Sequence, residues 1–143
     1  MKLRLAQIAH ARSGDKADTA DIGLFAWDPT GYAVLAEHVT AEKVERHFAH
    51  LWPPNTYTVS HPPRVERFDL PQLLALKFVL RGALNGGAAS SLRSDNLGKT
   101  IAAQLLRMEI ELPQAQADAV LQATQTAIDQ FYAASFLAHQ TPT

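Results

Sequence analysis

His10, Arg12, Ser13, Gly14, Asp15, Lys16 and Asp18 crowd into one short stretch near the start of the chain. Arg12 offers a planar fork that matches a carboxylate or a phosphate, and Lys16 adds a second positive charge close by. Ser13 and Gly14 permit a tight turn that exposes backbone amides to an anion. Asp15 or Asp18 would orient the cations. His10 can carry a proton near neutral pH, so His10 or Asp15 is the candidate general base if the chain is an enzyme. The competing reading is a solvated connection whose charges pair locally and add little to stability.

A second stretch holds Gly86, Gly87, Ser91 and Arg93, followed by Asp95 and Gly98-Lys99-Thr100 at the opening of a helix. Glycines let a backbone approach a ligand closely, and helix amides together with Arg93 and Lys99 favour negative charge. The phosphate-loop pattern G-x-x-x-x-G-K-S/T is not met, because Arg93 stands where the first glycine is required. A flexible turn with Lys99 in solvent is the alternative. His47 and His50 share neighbouring positions on a helix, yet Lys43 and Arg46 crowd them, and a structural role is the expectation. Neither H-E-x-x-H nor G-x-S-x-G occurs. No metal and no cofactor is expected.

The elements that must carry these groups are read from the hydrophobic period. Leu3 to Ala9 and Ile22 to Trp27 read as strands, with the polar residues from His10 to Asp21 as a loop between them and Asp28-Pro29-Thr30-Gly31 as a turn. Thr40 opens a helix carrying Val44, Phe48 and Leu51, which Pro53 and Pro54 stop. Asn55 to Pro63 reads as a surface loop and Arg64 to Phe68 as an extended run. Leu70 to Leu84 fits either a helix begun by Asp69 and Pro71 or a strand in which Leu76, Phe78 and Leu80 alternate with polar neighbours. Asp95 can cap a short helix with Leu97, Ile101 and Leu105 on one face. Met108, Ile110 and Leu112 alternate as a half-buried strand, and Pro113 opens a long helix from Gln114 to His139 whose Ala117, Val120, Leu121, Thr124, Ile128, Phe131 and Tyr132 form an apolar stripe. Trp27, Trp52 and this stripe read as core or subunit contacts. The pattern predicts an α+β fold, with helices packed on one face of a mainly antiparallel sheet.

The chain has 143 residues, 47% hydrophobic and 19% charged, with 13 basic and 14 acidic side chains and no cysteine. This is the size of one domain that stabilises its own core, and disulfides are excluded. A formal charge of -1 gives no general attraction to a phosphate backbone, so nucleic acid is not an expected partner. The N-terminus turns polar at Gln7 and no later stretch approaches a membrane span, so neither export nor a membrane partner is expected and the cytoplasm is the expected location.

Taken together, His10 to Lys16, Asp18 and Ile22-Gly23, then Gly82-Ala83-Leu84, Gly86-Gly87, Ser91-Leu92-Arg93, Asp95 and Gly98-Lys99 resemble the AtuA-like domain, the small C-terminal region of acyclic terpene utilisation proteins that also occurs as a stand-alone chain. Ala17, Asp21 and Asn85 depart from its usual Gly, Asn and Gly. The likeness covers about Leu3 to Leu112, which divides the chain into residues 1–112 and a helical extension, 113–143. It implies a ferredoxin-like fold, which tips Leu76 to Arg81 toward strand. It also implies a setting in catabolism of branched or terpenoid acids as CoA thioesters, with a larger AtuA-type companion subunit.

The expectation is a small subunit or accessory domain, non-catalytic or co-catalytic, that binds an anionic metabolite, such as an acyl-CoA, between the two polar stretches, and a homo-oligomer is expected. Arg12, Lys16, Arg93 and Lys99 would hold negative groups, with Ser13, Gly14, Asp18, Gly86, Gly87 and Ser91 completing the site. The alternatives are a lyase or hydratase acting on a CoA thioester, and a structural module in which the last helix buries its stripe in a homo-oligomer.

Overall fold

The computed structural model describes residues 1–52, 64–83 and 100–140. A short strand, β1 (Lys2–Arg4), pairs antiparallel with β6 (Glu109–Glu111), Leu3 opposite Ile110. The terminal ammonium fastens this pair by donating to the Leu112 carbonyl at 2.7 Å and the Glu111 carboxylate at 3.1 Å. A single 3-10 turn, Leu5–Gln7, then interrupts the apolar run that the sequence reads as one strand from Leu3 to Ala9. The Arg4 amide donates to the Gln7 side chain at 2.9 Å and the Leu5 amide to the Met108 carbonyl, so the chain bends where side-chain and cross-strand acceptors are both at hand.

The expected loop from His10 to Asp21 is instead a long hairpin. β2 (Ala9–Lys16) pairs antiparallel with β3 (Thr19–Ala26) in continuous register, from Ala9 opposite Ala26 to Lys16 opposite Thr19. In β3, Ala20, Ile22, Leu24 and Ala26 are buried while Asp21, Gly23 and Phe25 alternate on the more open side. On the inward side of β2 stand Ala9, Ala11, Ser13 and, exposed near the tip, Asp15, and these small or charged residues leave no apolar period to read. The turn is Ala17-Asp18, not Ser13-Gly14. Ala17 has φ of 56°, the left-handed region that the first central position of a two-residue hairpin loop demands and that glycine fills without strain.

Asp28-Pro29-Thr30-Gly31 starts a helix, where the sequence reading has a turn. The Asp28 carboxylate accepts from the Gly31 amide at 2.8 Å and Pro29 occupies the first helical turn of α1 (Pro29–His38). Gly31, Val34 and Leu35 face the core. α2 (Ala41–His47) begins as expected with the Thr40 hydroxyl accepting from the Lys43 amide at 3.2 Å, and a 3-10 turn, Ala49–Leu51, follows it. Pro53, Pro54 and the loop from Asn55 to Pro63 lie outside the described residues.

β4 (Val65–Leu70) and β5 (Ala75–Leu80) form a second antiparallel hairpin around the 3-10 turn Pro71–Leu73, which settles the ambiguous segment as strand. The four-stranded sheet has the order β2-β3-β5-β4. After the helical residues 100–106, α3, comes β6, and then α4 (Gln114–Gln140). From β3 onward the succession is the β-α-β-β-α-β run of a ferredoxin-like fold. β6 nevertheless pairs with β1, and β2 lies beside β3 at the sheet edge.

Leu76, Phe78 and Leu80 from the sheet, Leu35 and Val44 from α1 and α2, and Ile101 and Leu105 from α3 are fully buried together. Ala117 and Val120 join the same cluster, so the first turns of α4 pack with residues 1–112 as one core. Farther along α4, Phe131 and Tyr132 of the expected stripe are exposed. No helix among the described residues is long and apolar enough to cross a membrane.

Candidate functional site: the open face of the sheet

Side chains paired across an antiparallel sheet share a face, so the register decides which candidates meet. On the face away from the core, one row runs His10, Phe25, Ala75, Leu70, and the next runs Arg12, Gly23, Lys77, Phe68. The third runs Gly14, Asp21, Val79, Glu66. Within this face lies a hollow of about 300 Å³. Arg12, Lys77 and Asp21 stand at one side of it, and Phe25, Leu70, Leu73 and Ala75 form an apolar side.

The hollow exists because two strand positions carry no side chain. A methyl group at Gly14 would lie 3.2 Å from the Asp21 carboxylate, and one at Gly23 would lie 2.9 Å from the Phe25 ring. Asp21 and Phe25 therefore lie down over the glycines instead of filling the space above them. The Lys77 ammonium stands 4.0 Å from Asp21, both about half exposed, a loose pair that an incoming anion can exchange with.

His10 stacks on Phe25 with ring centroids 5.3 Å apart and planes 16° apart, and meets Trp27 at 5.0 Å. Burial between these rings holds the imidazole pKa below its ordinary value of 6.5. His10 is thus neutral near pH 7, beside the apolar rim of the hollow. The aromatic chain continues from Trp27 to Phe131 of α4 at 6.0 Å.

The hairpin thus brings His10, Arg12 and Gly14 to one face and sends Ser13 and Asp15 to the other. The Ser13 hydroxyl accepts from the Ala102 amide of α3 at 3.4 Å, which places it against the helical layer. Asp15 pairs with Ala20, whose side chain points into the core, so it shares no face with Arg12. Lys16 and Asp18 sit at the hairpin tip, where the Asp18 carboxylate accepts from the Thr19 hydroxyl at 3.1 Å. Gly86, Gly87, Ser91, Arg93, Asp95 and Lys99 lie outside the described residues.

Sequence reasoning missed Lys77, Phe25, Leu70 and Leu73 as site residues. For Lys77, Phe25 and Leu70 the signal was the outward half of each period-2 pattern, which reads as ordinary solvated surface until neighbouring strands align it; Leu73 lies in the turn Pro71–Leu73, outside any strand period. His47 donates from Nε2 to the Gln104 carbonyl at 2.7 Å and fastens α2 to α3. Among the described residues no three His, Cys, Asp or Glu side chains converge on a metal position.

The chemistry this face supports is capture of an amphipathic anion. Its charged end would meet Arg12 and Lys77, and its apolar end would cover Phe25 and Leu70. About 300 Å³ is the low end for a small-molecule site, enough for a short branched acyl group but not for a nucleotide as well. In comparison with known proteins, residues 3–111 match the family model of the AtuA ferredoxin-like domain. No curated protein and no solved structure matches the chain.

Proposed function

The chain belongs to the AtuA ferredoxin-like domain family, and on that footing we propose that it is a small accessory subunit binding the acyl end of an anionic metabolite on the open sheet face. The observation that carries this reading is the juxtaposition, in one hollow, of Arg12 and Lys77 with Phe25, Leu70 and Leu73. A branched or terpenoid acid, free or as its CoA thioester, has that combination of negative charge and apolar bulk. For a thioester, the nucleotide end would run past the hairpin tip, where Lys16 supplies a further cation.

The hollow is open to solvent, and a larger companion subunit docking over it would exclude water from the bound acyl group. Calorimetric titration of branched short-chain acyl-CoAs and the free acids tests the reading. Wild type gives saturable heat, and Arg12→Ala and Lys77→Ala weaken binding about tenfold each, as expected for loss of one partly exposed charge-assisted contact. Equal affinities in all three proteins refute the assignment.

A lyase or hydratase reading keeps one supporting observation, the neutral His10 stacked on Phe25 at the edge of the hollow. A neutral imidazole is the form a general base requires. Turnover of an acyl-CoA by the protein, alone or with a co-purified companion, that His10→Gln abolishes while binding persists would establish it. Turnover unaffected by His10→Gln removes it.

A further inference from the structure

The apolar stripe of α4 outruns the body it packs on. Ala117, Val120 and Thr124 are buried, and Ile128 is half-buried. At the same helical phase come Phe131, 58% exposed, and Ser135, flanked by Tyr132 at 63% and Phe136 at 62%. Phe131 meets the edge of Trp27 at 6.0 Å, and Tyr132 packs on Phe131 at 5.5 Å. One continuous surface is therefore covered by the chain's own core at one end and left open at the other. Three adjacent aromatic rings in water are costly unless something covers them.

Charge decides among the occupants. From Gln114 to Gln140 the only ionised side chains are Asp118 and Asp129, with His139 near the end and no Lys or Arg. A helix that lies on a lipid surface carries cations on its polar face, and α4 has none. A strongly charged partner would find no complement either. A second α4 meets neither objection, because the patch is apolar and matches itself.

Area agrees. Aromatic side chains of about 200 Å² each, exposed to this degree, offer roughly 350 Å² per copy. With the intervening small residues, two copies approach the order of 1,000 Å² that a specific interface needs.

We infer that the last three turns of α4 form a homodimer interface, pairing with the same segment of a second copy about a twofold axis. The helices run antiparallel. That orientation opposes their dipoles, separates the two Asp129 carboxylates, and leaves the two bodies at opposite ends of the pair. The inference is independent of the ligand reading, which concerns the sheet face.

Light scattering on the full chain tests it. Wild type is expected at twice 15.6 kDa. The Phe131→Ser/Phe136→Ser double variant is expected at the monomer mass with unchanged far-ultraviolet circular dichroism. Phe136→Lys, which leaves the Trp27 contact in place, is expected to weaken the dimer at least tenfold. Because the chain has no cysteine, Ser135→Cys gives a single label site, and spin labels there should show strong coupling between protomers. A monomeric wild type overturns the inference, whether or not it binds neutral lipid vesicles. So does a dimer that survives both variants, or a dimer whose Ser135→Cys labels do not couple.

Discussion

Gly23 sits in the strand at the centre of the hollow, and replacing it by Ala puts a methyl group 2.9 Å from Cε2 and 3.1 Å from Cζ of Phe25. The first separation is too short for a β-carbon and the second is tight, so the ring must shift away from the sheet. Doing so breaks its stack on His10, worth about 1 kcal/mol, and forces a poorer rotamer at a similar cost. Against this, Ala loses less backbone freedom on folding than Gly and returns about 0.5–1 kcal/mol. The net expectation is destabilisation of about 1 kcal/mol, together with two local consequences. The apolar side of the hollow loses its largest member, and the His10 imidazole regains water, so its pKa rises toward 6.5. Chemical denaturation gives the first quantity, and a magnetic-resonance titration of the His10 ring protons gives the second. A Gly23→Ala protein more stable than wild type, with the His10 pKa unmoved, would refute the claim that Phe25 lies over Gly23 and shields His10.

Three further outcomes follow from the same geometry. Ala17→Gly should stabilise the protein by about 1 kcal/mol in thermal unfolding, since a left-handed φ of 56° costs a β-carbon that much. Arg67, on β4, donates to the Ala36 and Val39 carbonyls at the end of α1 at 2.9 and 3.0 Å and is held by Asp69. Arg67→Met should cost about 2 kcal/mol in denaturant titration, because it strips those helix-end carbonyls of their donor. Burial lowers the His10 pKa in the folded state, so below 6.5 the unfolded chain binds the extra proton first. Stability should therefore fall as pH drops from 6.5 through the folded-state value, and denaturation across a pH series should lose that component in His10→Phe.

Local signals settled much of the architecture. Thr40 at a helix start, Pro113 before a long apolar stripe, and the alternation around Ile110 each act within a few residues, through capping, a fixed φ or a period, and all three hold in the structure. The types of the reactive residues were equally plain, Arg12 as an anion fork and His10 as a proton carrier. What the residues alone misjudged was the state of the chain from His10 to Asp21. Its inward positions are Ala, Ser and Asp, which carry no hydrophobic signature, and only pairing with β3 makes that backbone a strand. Tertiary structure alone decided the partnerships. A strand's alternation assigns side chains to two faces, but which faces align across neighbouring strands depends on register between segments far apart in sequence. That register set Arg12 beside Lys77 and turned Asp15 away from both.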